Sequence, residues 1–120
     1  MQIDYVEKNA IEVAKLSSEE MLFSDVDSAL DVMANVRYGT GCSRMVVGKK
    51  DINPEFFDLS TKIAGDVLQK FVTYQMRLAI VGDFSSGCSS SLRSFILESN
   101  KGREIYFTDE EEKAMNWLIS

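Results

Sequence analysis

The residues with the most chemical potential run Gly82-Asp83-Phe84-Ser85-Ser86-Gly87-Cys88-Ser89, between an apolar run and a helical pattern. Their spacing is Gly-x4-Gly-x-Ser. A phosphate-cradling loop needs glycines for close backbone approach, a lysine for the outer phosphates and a Ser or Thr for magnesium. Cys88 stands where the lysine belongs, which argues against nucleotide hydrolysis. What remains is a site for a small anionic ligand at free helix N–H groups, with Ser85, Ser86, Cys88 and Ser89 around it. The structural alternative is that Gly82 and Gly87 shape a turn and a serine caps the helix. Asp83 ends the apolar run at the edge where parallel sheets place their sites. It either meets a ligand or bonds turn amides. Helix starts favour thiolates, yet Cys88 has no histidine to serve it as a base.

A second group, Asp58, Ser60 and Thr61, lies near the start of a long helical pattern. These residues read as surface or backbone partners, or as part of a recognition surface. The chain has no histidine, which removes the commonest general base and metal ligand. A Ser-His-Asp triad or a His-bearing zinc site is therefore excluded within this chain. Two cysteines, Cys42 and Cys88, make neither a zinc cluster nor a disulfide framework and fit free thiols in a reducing compartment. No cofactor and no metal is implied. A net charge of −6 and a pI near 4.6 repel phosphate backbones, so neither nucleic acid nor an anionic membrane is expected as a partner. Met1 to Tyr5 carry no basic or apolar leader pattern, and no run approaches the ~18 apolar residues of a membrane span. The expected location is cytoplasmic.

The elements that position these residues follow from periodicity. Residues 2–7 and 10–16 alternate, with a polar turn Glu7-Lys8-Asn9 between them, and predict a β-hairpin. Met21-Leu22-Phe23 reads as a small extra strand or a plug. Ser24 is the expected N-cap of a helix with Val26, Ala29, Leu30, Met33 and Ala34 inward. Arg44 to Gly48 is a short buried strand. Asn53-Pro54 is a strong start signal for the longest helix, about five turns at ~3.6 residues each, with Phe56, Leu59, Ile63, Val67, Leu68 and Phe71 on one stripe. Phe56 and Phe57 cannot both point inward. The run 77–82 has no polar face and predicts a strand covered on both sides. A helix from about Ser89, a stop at Asn100-Lys101-Gly102, a strand 103–107 and a last helix complete the order, with Thr108 and Glu111 in capping-box spacing.

Two stretches are similar to one family. Phe56-Phe57-Asp58-Leu59-Ser60-Thr61 runs on to Ala64-Gly65-Asp66-Val67-Leu68-Gln69-Lys70-Phe71, and Leu78-Ala79-Ile80-Val81-Gly82-Asp83-Phe84-Ser85 continues to Glu98-Ser99-Asn100-Lys101-Gly102. They resemble an uncharacterised bacterial family, domain of unknown function four-one-eight-zero, over nearly the whole chain; the resemblance implies no named activity. The element order also resembles the STAS (sulfate transporter and anti-sigma antagonist) domains, which are partner-binding modules. In anti-sigma antagonists an Asp-Ser-Ser-Gly turn carries a phosphorylated serine at a helix start. The comparable stretch here is Asp-Leu-Ser-Thr-Lys, and by periodicity it falls inside the long helix.

The reading is one α/β domain over residues 1–120, STAS-like in its order β-β-α-β-α-β-α-β-α, with a mixed, mainly parallel five-stranded sheet flanked by helices. The leading function is a non-catalytic regulatory or protein-interaction module. Its working surface combines the start of the long helix with the Asp83–Ser89 loop. The alternative is a small-molecule or nucleotide-binding protein, or a small enzyme, sited at the strand carboxyl edge around the same loop. A homo-oligomer is a third reading.

Overall fold

β1 (Gln2–Lys8) and β2 (Ile11–Ser17) pair antiparallel with Val6 opposite Val13. The computed structural model describes residues 1–120. The turn falls on Asn9-Ala10, slightly later than Glu7-Lys8-Asn9, because both residues take left-handed φ values of 54° and 64°, the twist that suits a two-residue hairpin loop. β3 (Arg44–Gly48), β4 (Arg77–Val81) and β5 (Ile105–Thr108) follow in parallel. The sheet order is β1-β2-β3-β4-β5, so the fold is a mixed, mainly parallel five-stranded α/β sheet. Leu22-Phe23 acts as a plug: both are buried, and Leu22 makes a single parallel bridge to Ile52.

Alternation along the strands decides the two faces. Ala14, Leu16, Met45, Val47, Leu78, Ile80, Ile105 and Phe107 point to the larger core. There they meet α1 (Val26–Arg37) and α2 (Ile63–Thr73), with Phe95 and Ile96 of α3 (Ser90–Asn100) packed against them. Val13, Val46 and Ala79 point the other way and meet α4 (Glu111–Leu118) through Ala114, Met115 and Leu118. Ile80 is wholly buried, as an apolar run without a polar face requires.

Sequence expectations at the helix ends are corrected as well. The N-cap of α1 is Asp25, not Ser24: Asp25 Oδ1 accepts the Ser28 amide at 2.7 Å and the Ser28 hydroxyl answers the Asp25 amide. Val32 and Val36 are buried where Ala34 is exposed. Thr108 and Glu111 form no capping box; Thr108 is the last residue of β5, and α4 has Glu110 as an N-cap without a side-chain bond.

The largest correction concerns the long helix. Residues 54–73 are not one helix but two short 3-10 turns, Pro54–Phe57 and Leu59–Thr61, and then α2. Side chains compete with the helical ladder here. Asp58 Oδ1 accepts the Ser60 amide, and Thr61 Oγ1 donates to the carbonyls of Glu55 and Asp58 at 2.9 and 2.8 Å. Lys62 then turns left-handed, φ 66°, which resets the chain direction before Ile63. The apolar stripe survives this break because Phe56 and Phe71 reach the same core through Phe23, at 6.0 Å from each ring.

Candidate functional site

The carboxyl ends of the parallel strands form a rim, and both candidate groups lie on it. β4 stops at Gly82, whose amide donates to the Thr108 carbonyl at 2.9 Å. Asp83 then closes an Asx turn: its Oδ1 accepts the Ser85 amide at 2.9 Å and the Ser85 hydroxyl. Asp58 does the same with Ser60, at 3.1 Å for the amide and 2.7 Å for the hydroxyl. Two Asp-x-Ser turns thus share one internal geometry. Each aspartate is held below the usual carboxylate range, first by the serine hydroxyl and then by the serine amide, because both bonds favour the charged form.

Aromatic rings join the turns. Phe57 and Phe84 lie 5.8 Å apart, Phe56 meets Phe57 at 5.1 Å edge-on, and Phe84 meets Phe107 at 5.4 Å edge-on. Phe56 is buried while Phe57 is half-buried, as the pair's opposed directions require. Lys49 is the latch. Its ammonium lies 4.8 Å from the Phe84 ring and 5.9 Å from that of Phe57, and it donates to the Asp83 carbonyl at 2.6 Å. A cation held on aromatic faces adds attraction to the hydrogen bond.

The remaining candidates are placed as follows. Thr61 is consumed by the backbone of its own turn. Ser86 is exposed in the loop, and Gly87 takes a left-handed φ of 73°. Cys88 is half-buried, with its thiol donating to the Phe84 carbonyl at 3.4 Å. Ser89 caps α3 by accepting the Leu92 amide at 3.0 Å, so its hydroxyl occupies one of the helix's free N–H groups. Cys42 lies elsewhere, buried at the opposite edge, and burial pushes its thiol up.

Beside the rim, on the α4 side of the sheet, opens a cleft of about 670 Å³. It is lined by Gly48 and Gly82, by the apolar side chains of Met21, Val46 and Val81, by the charged Lys15, Lys49, Lys50, Asp51, Asp83 and Glu111, and by Leu16 and Ile52, whose side chains belong to the larger core. Of the candidate residues from the sequence, Asp83 alone lines it. Lys15 is paired with Glu111 at 3.0 Å. Asp51 is the residue sequence reasoning missed. It directly follows the Gly48-Lys49-Lys50 stretch at the carboxyl end of β3, and the strand-end rule that singled out Asp83 after β4 applies there equally.

The fold and rim define a small mixed-sheet α/β protein with two Asx turns presented at the parallel-strand ends. The chain belongs to the family described as a domain of unknown function, DUF4180, whose model matches residues 8–118. Among curated proteins none matches it. Among solved structures it is similar to a crystal structure of a candidate anti-sigma factor antagonist from Thermotoga maritima, at 14% identity, over 98% of this chain and 95% of that one, with a TM-score of 0.48. No helix is long and apolar enough to cross a membrane.

Proposed function

We propose that this protein is a non-catalytic regulatory module that works by binding another protein through the rim formed by the Asp58–Thr61 turn and the Asp83–Ser89 loop. The observation that carries the reading is the pairing of two Asp-x-Ser turns across the Phe57–Phe84 contact. They present exposed carboxylates and hydroxyls on a rigid aromatic support. A site preorganised by its own internal bonds loses little entropy when a partner docks. The chemistry points away from catalysis. Asp58 and Asp83 are the obvious bases for Ser60 and Ser85, yet both are held as stable anions by those serines, and a useful general base has a pKa near the working pH. Their charge suits a partner with a basic contact surface.

The test is site-specific photo-crosslinking in the producing cell, with the crosslinker at Ser60, at Ser85 or, as a control far from the rim, at Asn35. The expected result is one discrete adduct shared by Ser60 and Ser85, absent at Asn35 and lost in an Asp58→Ala, Asp83→Ala double variant that remains folded. No adduct at the rim, or the same adducts at all three positions, would overturn the reading.

A further inference from the structure

We propose that the outer edge of β1 is an interface for a second copy of this chain, paired antiparallel so that the two five-stranded sheets join into one. The carrying observation is the contrast between the two edges of the sheet. An unpaired edge invites other strands, and folded proteins usually shorten, bend or cover it. The β5 edge is treated in this way. That strand has four residues, and the Asn100 side chain takes the amide and the carbonyl of Phe107. The β1 edge is left open. β1 has seven residues, no proline, and a register with β2 that runs without a bulge from Gln2 to Lys8. Five of the seven are exposed.

The hairpin decides which backbone groups face outward. Its loop is Asn9-Ala10, and the pair that flanks such a two-residue loop, Lys8 and Ile11, exchanges both of its bonds. Bonded and non-bonded pairs alternate from there. Gln2, Asp4, Val6 and Lys8 therefore bond to β2, and the amides and carbonyls of Ile3, Tyr5 and Glu7 point away from the sheet, where no loop bonds to them. The strand is also complementary to itself. With Val6 on a two-fold axis, Tyr5 of one chain and Glu7 of the other exchange both bonds on each side of it. Val6 then meets Val6, and Asp4 lies opposite Lys8 twice. These three side chains share the α4 face, since Val6 is opposite Val13 of the smaller core. Neither Asp4 nor Lys8 has an ion-pair partner in its own chain: Lys15, across the hairpin from Asp4, is held by Glu111, and the Lys8 ammonium donates to Asn116 Oδ1 at 2.9 Å. Edge charges ordinarily keep other strands away. Here their opposite signs, placed evenly about Val6, attract a copy. Tyr5 lies on the other face and is fixed before association, its hydroxyl donating to the Val36 carbonyl at 2.8 Å. Seven residues at ~3.4 Å each make an edge about 24 Å long, a small contact by the standard of stable complexes, so the dimer is weak. This inference is independent of the partner-binding rim, since no residue of the two Asx turns lies on β1.

The experiment is sedimentation equilibrium of the whole chain up to about 1 mM, a concentration at which a weak contact is populated, with NMR spectra to report folding. The expected result is a reversible monomer–dimer equilibrium, and an isotope-filtered NOE between Val6 methyls of labelled and unlabelled chains. Lys8→Glu turns two attractions into two repulsions and should weaken the dimer by about tenfold or more. Adding Asp4→Lys to the same chain restores opposite signs and should bring the dissociation constant back to within about threefold of the parent. A misfolded single variant could not be rescued in this way. Glu7→Pro removes an outward N–H and no bond to β2, a change that edge strands tolerate, and it should abolish the dimer while the spectrum stays folded. A chain that is monomeric at about 1 mM would overturn the proposal, as would a dimer indifferent to Lys8→Glu, one not recovered by the charge swap, or one that survives Glu7→Pro. A monomeric chain that captures a different protein through a photo-crosslinker at Glu7 would assign the edge to a foreign strand and rule out the copy.

Discussion

Gly48 and Gly82 end neighbouring strands, and the same substitution should have opposite effects at the two. At Gly82 an added Cβ would clash with Lys49 Cβ and meet its Cδ at 3.0 Å. The first of these is the root of the side chain and cannot swing away, so the ends of β3 and β4 must part. Overpacking of this kind costs about 1–3 kcal/mol. Against it stands the entropy that alanine removes from the unfolded chain, about 0.4–1 kcal/mol. The net for Gly82→Ala is a destabilisation of up to about 2.6 kcal/mol, centred near about 1.3 kcal/mol, which is about 5 °C in Tm for a chain of this size. At Gly48 the backbone is extended, φ −77° and ψ 140°, and the nearest atoms to an added Cβ lie at 3.5 Å, ordinary contact. There the entropy gain stands alone, and Gly48→Ala should stabilise by about 0.4–1 kcal/mol. Urea unfolding curves with unchanged slope would measure both. A Gly82→Ala variant as stable as the parent, or a Gly48→Ala variant that loses stability, would refute the steric reasoning.

Arg77 ties the end of α4 to the sheet: its guanidinium donates to the carbonyls of Arg103, Trp117, Leu118 and Ser120 and lies 4.2 Å from the Trp117 ring. Arg77→Met should cost about 2–4 kcal/mol and speed hydrogen exchange in α4 first; a loss under about 0.5 kcal/mol, the size of an ordinary surface change, would show that those bonds contribute nothing net. The Asn100 side chain substitutes for a missing strand beside β5, exchanging bonds of 2.8 and 3.0 Å with the amide and carbonyl of Phe107. Asn100→Ala should lower stability by about 1–3 kcal/mol and expose the Phe107 amide to exchange, and an unchanged protection factor there would count against this role. Asp58 and Asp83 have folded pKa values below their unfolded ones, so their contribution is present above the ordinary carboxylate pKa and fades as pH falls through the lowered one. A Ser60→Ala, Ser85→Ala variant should flatten this acid limb of a Tm-against-pH profile, and an identical limb would show that the serines do not set it.

The sheet was legible because its signals are local. Arg44 to Gly48 matched its strand at both ends, and the apolar run ending at Val81 had to be covered on two sides. The break in the helix at residues 58–62 was not legible from periodicity. Phe56, Leu59, Ile63 and Val67 keep helical spacing although the backbone between them does not, since the stripe records which residues face the core and not the path that takes them there. The warning lay in side-chain chemistry: Asp58, Ser60 and Thr61 are residues that bond nearby backbone in place of a helical ladder. Ser24 and Asp25 are both good caps, and the choice turned on Ser28, which can answer Asp25. The cleft was missed because Asp51 looks like a loop carboxylate until Leu22 and Ile52 are seen to bridge around it.

The position of the cleft follows from the strand order. Each parallel crossover is right-handed, and the strands add in one direction from β2 to β5. The three crossover helices are therefore forced onto one face, where they build the larger core. The other face has only the helix that follows β5. With eight residues, α4 spans about 12 Å at ~1.5 Å per residue, and it packs against β3, β4 and β5. The carboxyl ends of β2 and β3 on that side are left to Lys15, Val46 and Gly48, bordered by the first residue of α4, Glu111. The gap over these strand ends is thus a consequence of topology and helix length. Lengthening α4 would not close it, because the helix starts at this edge and runs away from it. A bulkier residue at Gly48 would, and that places the control of the cleft in a residue whose backbone has no need of glycine.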